Sequence, residues 1–199
     1  MVCILVLLSD FFLNETSTYA WDMTGNIDLI YGSKDLSEDW KPVVGHNAYG
    51  GEIDFKYEGM PFSIYLGYME SSGSGVYIEH RHGGNITYNE EIATEEYHVG
   101  IRKTWNIPFS LHPYINGGIS FIKMNGILHE TSPHDLYVKG KGIWFGGGLY
   151  HTIFKQLNIG VDVKVSNDIK DSYPTNNKKE GEVISLGGGY AMFVFGYHF

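Results

Sequence analysis

The stretch Phe193-Val194-Phe195-Gly196-Tyr197-His198-Phe199 carries an aromatic at every second position. Alternate residues of a β-strand share a face. Phe193, Phe195, Tyr197 and Phe199 therefore make one aromatic face, and Val194, Gly196 and His198 the other. Four aromatics on one face gain little in water. Against lipid the same face is stable, and its aromatics settle at the membrane interface. The stretch predicts a membrane-spanning strand, and the rest of the chain can be tested for seven more.

The clearest of these lies just upstream. Leu157, Ile159, Val161, Val163 and Val165 alternate with Asn158, Gly160, Asp162, Lys164 and Ser166. A period of two with β-branched residues on one face and polar ones on the other is a strand. The same reading predicts eight strands, near 25–34, 45–57, 61–72, 94–106, 111–124, 141–153, 156–168 and 183–199. Three connections are short, over 58–61, 106–110 and 154–156. The others, near 35–44, 73–93, 125–140 and 169–182, are read as long loops. Short and long links then alternate, as in an up-and-down barrel with periplasmic turns at one end and four external loops at the other. An even strand count puts both termini on the periplasmic side. The expected fold class is all-β, an eight-stranded antiparallel up-and-down transmembrane β-barrel.

Composition fits. Of 199 residues, 43% are hydrophobic and 19% charged, too apolar for a disordered chain, and 26 glycines and 15 tyrosines suit close strands and an aromatic belt. No apolar run of about 18 residues exists, so a membrane-spanning helix is excluded, whereas a barrel strand needs only about 9–11 residues with one apolar face. The net charge of −9 argues against nucleic acid, which calls for a basic patch. Met1 to Leu13 is an apolar run, with small residues at Thr18 and Ala20. Residues 1–20 are expected to be a removable signal peptide and 21–199 the barrel. Removal would take Asp10 and Glu15 with it and leave −7. Cys3, the one cysteine, lies in that segment, so neither a disulfide framework nor thiol chemistry is expected in the mature chain.

Faces follow from the alternation. Ile27, Leu29, Tyr31, Tyr49, Leu66, Tyr68, Tyr97, Val99, Ile101, Ile119, Phe145 and Leu149 are assigned to lipid. Asp28, Lys34, Glu52, Asp54, Lys56, His98, Arg102, Asn116, Asp162 and Lys164 point inward, with Tyr65, Tyr114, Trp144 and Tyr150 filling space between them. A barrel of eight strands has an interior just wide enough for side chains to fill, and buried charges must be paired there. The inward set is therefore expected to be a structural polar cluster around Arg102, with an ion pathway as the alternative.

Gly25-Asn26-Ile27-Asp28, Asp39-Trp40-Lys41-Pro42 and Gly100-Ile101-Arg102-Lys103-Thr104-Trp105 are similar to motifs of a family of proteobacterial outer-membrane barrel proteins. That resemblance implies a barrel and no particular activity. The closing stretch resembles the C-terminal signal of outer-membrane barrels, which implies recognition of Phe193, Phe195, Tyr197 and Phe199 by the barrel-assembly machinery. The polar interior resembles that of the membrane domain of outer-membrane protein A. A conduit for small or apolar molecules, as in outer-membrane protein W, is the alternative.

Chemistry has few candidates. Lys164-Val165-Ser166-Asn167-Asp168 is similar to the His-x-Ser-Asn segment of outer-membrane lipid A deacylases, but Lys164 stands where the histidine would be. Ser166 then needs a base such as His98 or His151 from another strand. His80 and His82, and His129 and His134, fall in expected loops as solvated side chains rather than metal ligands. Glu38-Asp39, Glu90-Glu91, Glu95-Glu96 and Asp168 with Asp171 are read as an acidic external rim, able to meet lipopolysaccharide phosphates through divalent cations. Gly146-Gly147-Gly148 and Gly187-Gly188-Gly189 are expected inside strands, easing strand bending or making room for Trp144 and Tyr190. No catalytic residue and no cofactor is expected. The expected partners are outer-membrane lipid and lipopolysaccharide, and the expected place is the bacterial outer membrane.

Overall fold

A computed structural model describes residues 23–36, 43, 45–81, 84–128, 134–170 and 185–199. The expected signal peptide, His82, His129 and the acidic residues Glu38, Asp39 and Asp171 lie outside the described residues. Eight strands form in chain order: β1 (Met23–Leu36), β2 (Gly45–Tyr57), β3 (Ser63–Arg81), β4 (Gly84–Thr104), β5 (Leu111–Leu128), β6 (His134–Ile153), β7 (Leu157–Lys170) and β8 (Gly188–His198). Each pairs antiparallel with its neighbours in sequence, and β8 closes on β1, giving one barrel without a free edge. Closure matters because a membrane interior offers no water to an unpaired backbone group. The seam runs from Asn26↔His198 to Leu36↔Gly188.

Three turns, over 58–62, 105–110 and 154–156, share one end of the barrel, called here the turn end. The β4–β5 turn holds one 3₁₀ turn, Pro108–Ser110, and Gly59, at φ 83°, reverses the chain between β2 and β3.

The far end departs from the expectation. The segments 73–93 and 125–140, read as long loops, are largely strand. β3 and β4 run 19 and 21 residues and pair out to Arg81↔Gly84, leaving only 82–83 between them. β5 and β6 run 18 and 20 residues and pair out to Leu128↔His134. About 9–11 residues cross a bilayer, so these four strands continue well beyond it. There the outward face meets water, the apolar alternation fades, and Gly73-Ser74-Gly75 looks like a loop although it pairs in register.

The outer surface is apolar. Leu29, Ile143 and Phe193 are 65%, 67% and 70% exposed, and Ile119, Phe145, Val163 and Phe195 are exposed with them. Their neighbours along the strands are buried in the lumen, as alternation requires.

Candidate functional site

The lumen is filled by tiers of side chains, and β4 crosses all of them. From the turn end its inward residues are Thr104, Arg102, Gly100, His98, Glu96, Thr94 and Ile92.

The lower tier centres on Arg102, 1% exposed. Its guanidinium donates through Nη2 to Glu52 at 2.6 Å and through Nη1 to Asp54 at 2.9 Å, with Asp28 at 3.4 Å. Its flat faces lie against the rings of Tyr65 and Tyr114, 4.8 and 4.4 Å from their centroids. Such an arrangement suits a planar cation, which is weakly hydrated and stacks on aromatics. Lys164 pairs with the other oxygen of Glu52, donates to the Tyr65 hydroxyl at 3.0 Å and stands 3.7 Å from Asp162. Asp162 also accepts from the Tyr114 hydroxyl at 2.6 Å. Asn26 donates to Asp54 at 2.9 Å and accepts from Asn158 at 2.8 Å. Asn116 is buried opposite Arg102 in the β4–β5 register.

The upper tier centres on Glu96. It pairs with Lys34 and accepts from the Tyr190 hydroxyl at 2.5 Å. Lys34 also reaches Thr94 at 3.3 Å, and Thr94, Ser71 and His46 continue the chain at 2.7 and 3.1 Å. Between the tiers Trp144 packs on Tyr65 at 4.9 Å and on His98 at 5.1 Å, while His98 Nε2 lies 3.4 Å from Glu96. Beyond the upper tier the far end is apolar: Leu36, Ile92, Ile122, Met124 and Val138 from strands, with Val43 and Leu186 from outside the strands tucked inward.

Asp28, Glu52, Asp54, Arg102, Asp162 and Lys164 thus share one ion-paired tier. Asn116 lies beside them and His98 belongs to the upper one. Lys56 does not join them. It is exposed and lines a cavity of about 1050 Å³ at the turn end, which Arg102 and Asp54 also line. Without Lys56, and with Lys34 in the upper tier, the lower tier holds four carboxylates against two cations.

Glu96 and Glu90, read as rim acids, are buried, whereas Glu91 is exposed and Glu95 partly so. Consecutive residues on a strand take opposite faces, and the even positions of β4 were already marked inward by His98 and Arg102. Lys34 stands in the inward set, but its partner Glu96 was missed for want of this parity test.

Two other expectations shift. Ser166 has the Tyr190 hydroxyl at 3.3 Å and the Gly188 amide at 3.3 Å, and its described hydrogen bonds include no histidine. His98 packs on Trp144, and His151 contacts the Ser110 carbonyl at the turn end. The glycine run of β6 makes room for other side chains than expected. A Cβ on Gly146 would meet Asn116 Oδ1 and Lys164 Cγ at 2.7 Å, and one on Gly148 would meet the Tyr114 ring at 2.6 Å. Among the described residues no group of three histidine, cysteine or acidic side chains is placed to hold a metal.

A closed barrel, polar within and apolar around its girth, has only a bilayer as a stable surrounding. Solved structures share this form. The chain is similar to a major outer membrane protein from Thermus thermophilus, with TM-score 0.56 and 11% identity over 91% of this chain and all of that one. It is similar to Neisserial surface protein A, with TM-score 0.52 and 8% identity over 89% and 97% of the two chains. Ail, the attachment invasion locus protein of Yersinia pestis, gives 0.51 and 15% over 89% and 99%. This is a small bacterial outer-membrane β-barrel. No family model and no curated protein matches the sequence. At these identities the likeness is one of fold alone, and the functional reading rests on the lumen.

Proposed function

We propose that this outer-membrane barrel is a non-enzymatic envelope protein whose lumen braces the wall instead of conducting. One observation carries the reading. Between the turn-end cavity and the far end the lumen is occupied by ion-paired and stacked side chains, with Arg102 and Tyr65 at 1% and 0% exposure. A solute would have to displace the Arg102–Glu52–Lys164 network, and breaking a buried pair costs about 3–5 kcal/mol.

Nothing about Ser166 supports catalysis, because nucleophilic attack needs an adjacent base. Lys164, at the place of a deacylase histidine, is committed to Glu52 and Tyr65. The turn end is taken as periplasmic and the far end as external. Phe193, Phe195, Tyr197 and Phe199 are the strand face offered to the assembly machinery, and outer-membrane lipid and lipopolysaccharide surround the finished barrel.

The alternative is a narrow channel, favoured by the turn-end cavity of about 1050 Å³. Single-channel conductance of the refolded barrel in a planar bilayer separates the two, with Arg102→Ala measured beside the parent. A silent parent and a conducting variant support the brace. Steady conductance through the parent transfers the role to transport.

A further inference from the structure

The brace accounts for the middle of the lumen but leaves the turn-end cavity of about 1050 Å³ without a role. Small-molecule sites enclose about 300–1,000 Å³, so this space lies at the upper end of that class. On β1, β2 and β4 its lining residues furthest from the turn end are Asn26, Asp54 and Arg102, which form its inner end. Two polar atoms of the lining are buried without a hydrogen-bond partner among the described residues, Arg102 Nε and Thr104 Oγ1. Both come from the inward face of β4, two residues apart. The other nitrogens of the guanidinium are committed to Asp28, Glu52 and Asp54. A buried donor left unsatisfied is costly, and a guanidinium N–H can only donate. The inner end therefore calls for an acceptor from a ligand.

Charge decides what kind of acceptor. The lower tier holds four carboxylates against two cations, so an anion is repelled at the inner end. A cation meets Lys56 and Lys155 in the lining and brings no acceptor to Nε. An uncharged ligand meets neither obstacle, and its acceptor is then a hydroxyl or carbonyl oxygen. The rest of the lining suits the same chemistry. Thr24, Ser63, Asn106 and Thr152 supply groups that both give and accept hydrogen bonds, as the hydroxyls of a sugar do. His112 stacks on Tyr150, with centroids 4.9 Å apart and planes at 24°. The His112 Nδ1 donates to Asn106 Oδ1 at 2.9 Å, and the His198 Nδ1 donates to Asn26 Oδ1 at 3.0 Å. Rings held in this way offer a fixed aromatic surface, against which the C–H face of a sugar ring packs.

We propose that the turn-end cavity binds an uncharged saccharide, which accepts from Arg102 Nε and Thr104 Oγ1 and packs on the Tyr150–His112 stack. The site rests on the reading that the turn end is periplasmic and the lumen beyond it closed. Its ligand is then a short neutral glycan of the periplasm.

The test is isothermal titration of the refolded full chain in zwitterionic, sugar-free micelles. The probes are cellobiose, diacetylchitobiose and, as a charged counterpart, cellobiuronate. Heat-modifiable migration confirms that every variant is folded. The parent is expected to bind a neutral disaccharide saturably, and cellobiuronate about tenfold more weakly or less. Thr104→Val removes one donor and should weaken binding about tenfold, as should Tyr150→Ala. Thr87→Val, exposed on β4 at the far end, should leave it unchanged. Failure of both neutral probes to bind saturably overturns the proposal, and so does a parent that binds cellobiuronate as tightly as cellobiose. Binding that neither site variant weakens lies elsewhere on the chain and overturns it too. Conductance tells this failure from failure of the brace. A parent that conducts, yet binds a neutral probe through Thr104 and Tyr150, keeps the site and loses the closed lumen. A silent parent that binds neither neutral probe keeps the brace and loses the site.

Discussion

Arg102 on β4 reaches past Tyr65 on β3 to hold Glu52 on β2 at 2.6 Å, joining three strands of the wall from inside. Lys164, on the opposite wall, takes the second oxygen of the same carboxylate. Glu52 is therefore the joint at which the two sides of the barrel meet.

Glu52→Gln removes the carboxylate shared by two buried cations, leaving Arg102 with Asp54 and Asp28 and Lys164 with Asp162 at 3.7 Å. Breaking a buried pair costs about 3–5 kcal/mol where the remaining charge has no other partner, so the loss here is expected toward the lower end of that range. The urea midpoint of the variant refolded in lipid vesicles is expected to fall accordingly, and by more than that of Lys123→Gln, whose exposed pair with Glu95 contributes about 0–1 kcal/mol. Equal midpoints for the two variants would remove Glu52 from its central place.

Tyr65→Phe tests the hydroxyl apart from the ring. The ring packs against Trp144 and Arg102, and the hydroxyl accepts from Lys164 at 3.0 Å. Losing one hydrogen bond to a charged group is expected to destabilise by about 1.5–3 kcal/mol. Tyr65→Ala should cost more, about 3–5 kcal/mol by analogy with other large-to-small changes, and should raise conductance, which Tyr65→Phe should not.

How much of this was legible in the sequence follows from where a strand lies in the barrel. β7 could be read outright, because Leu157 to Val165 keep one face in lipid and the other in the lumen throughout. Arg102 and its acids were legible for the same reason. The outer halves of β3–β6 were not, because past the bilayer neither face is forced to be apolar and Gly73-Ser74-Gly75 imitates a loop. Parity along β4 was enough to place Glu96, but its adjacency to Glu95 suggested a solvated pair. The excess of acid in the lower tier was invisible, since alternation gives a face and not a depth. Lys56 lies on the inward face yet at the open mouth.

Gly148→Ala addresses a close approach. A Cβ there would meet the Val161 carbonyl oxygen at 2.3 Å and the Tyr114 hydroxyl at 2.5 Å, the hydroxyl that donates to Asp162 at 2.6 Å. The ring must move or the strand must shift, and overpacking of this kind costs about 1–3 kcal/mol. Gly189→Ala, with open space around its Cβ, is the matched control and is expected to be near neutral. Equal effects at the two positions in a vesicle-refolding assay would mean that the interior yields more easily than its packing implies.

Phe199 separates closure of the wall from delivery to the membrane. Its backbone amide donates to the Gly25 carbonyl and its carbonyl accepts from the Gly25 amide, each at 3.0 Å, so it zips the β1–β8 seam. Deleting Phe199 removes both bonds and the aromatic together, whereas Phe199→Ala removes the aromatic and keeps the backbone pairing. If the aromatic face is what the assembly machinery reads, both variants lose heat-modifiable barrel in outer-membrane fractions to the same extent. Phe199→Ala, refolded in vesicles, then keeps a urea midpoint close to the parent's, while the deletion falls by about 1–3 kcal/mol for the two lost backbone bonds. A normal outer-membrane level of Phe199→Ala beside a depleted deletion would mean that Phe199 acts through the seam, and the aromatic face of β8 would then owe its composition to lipid alone.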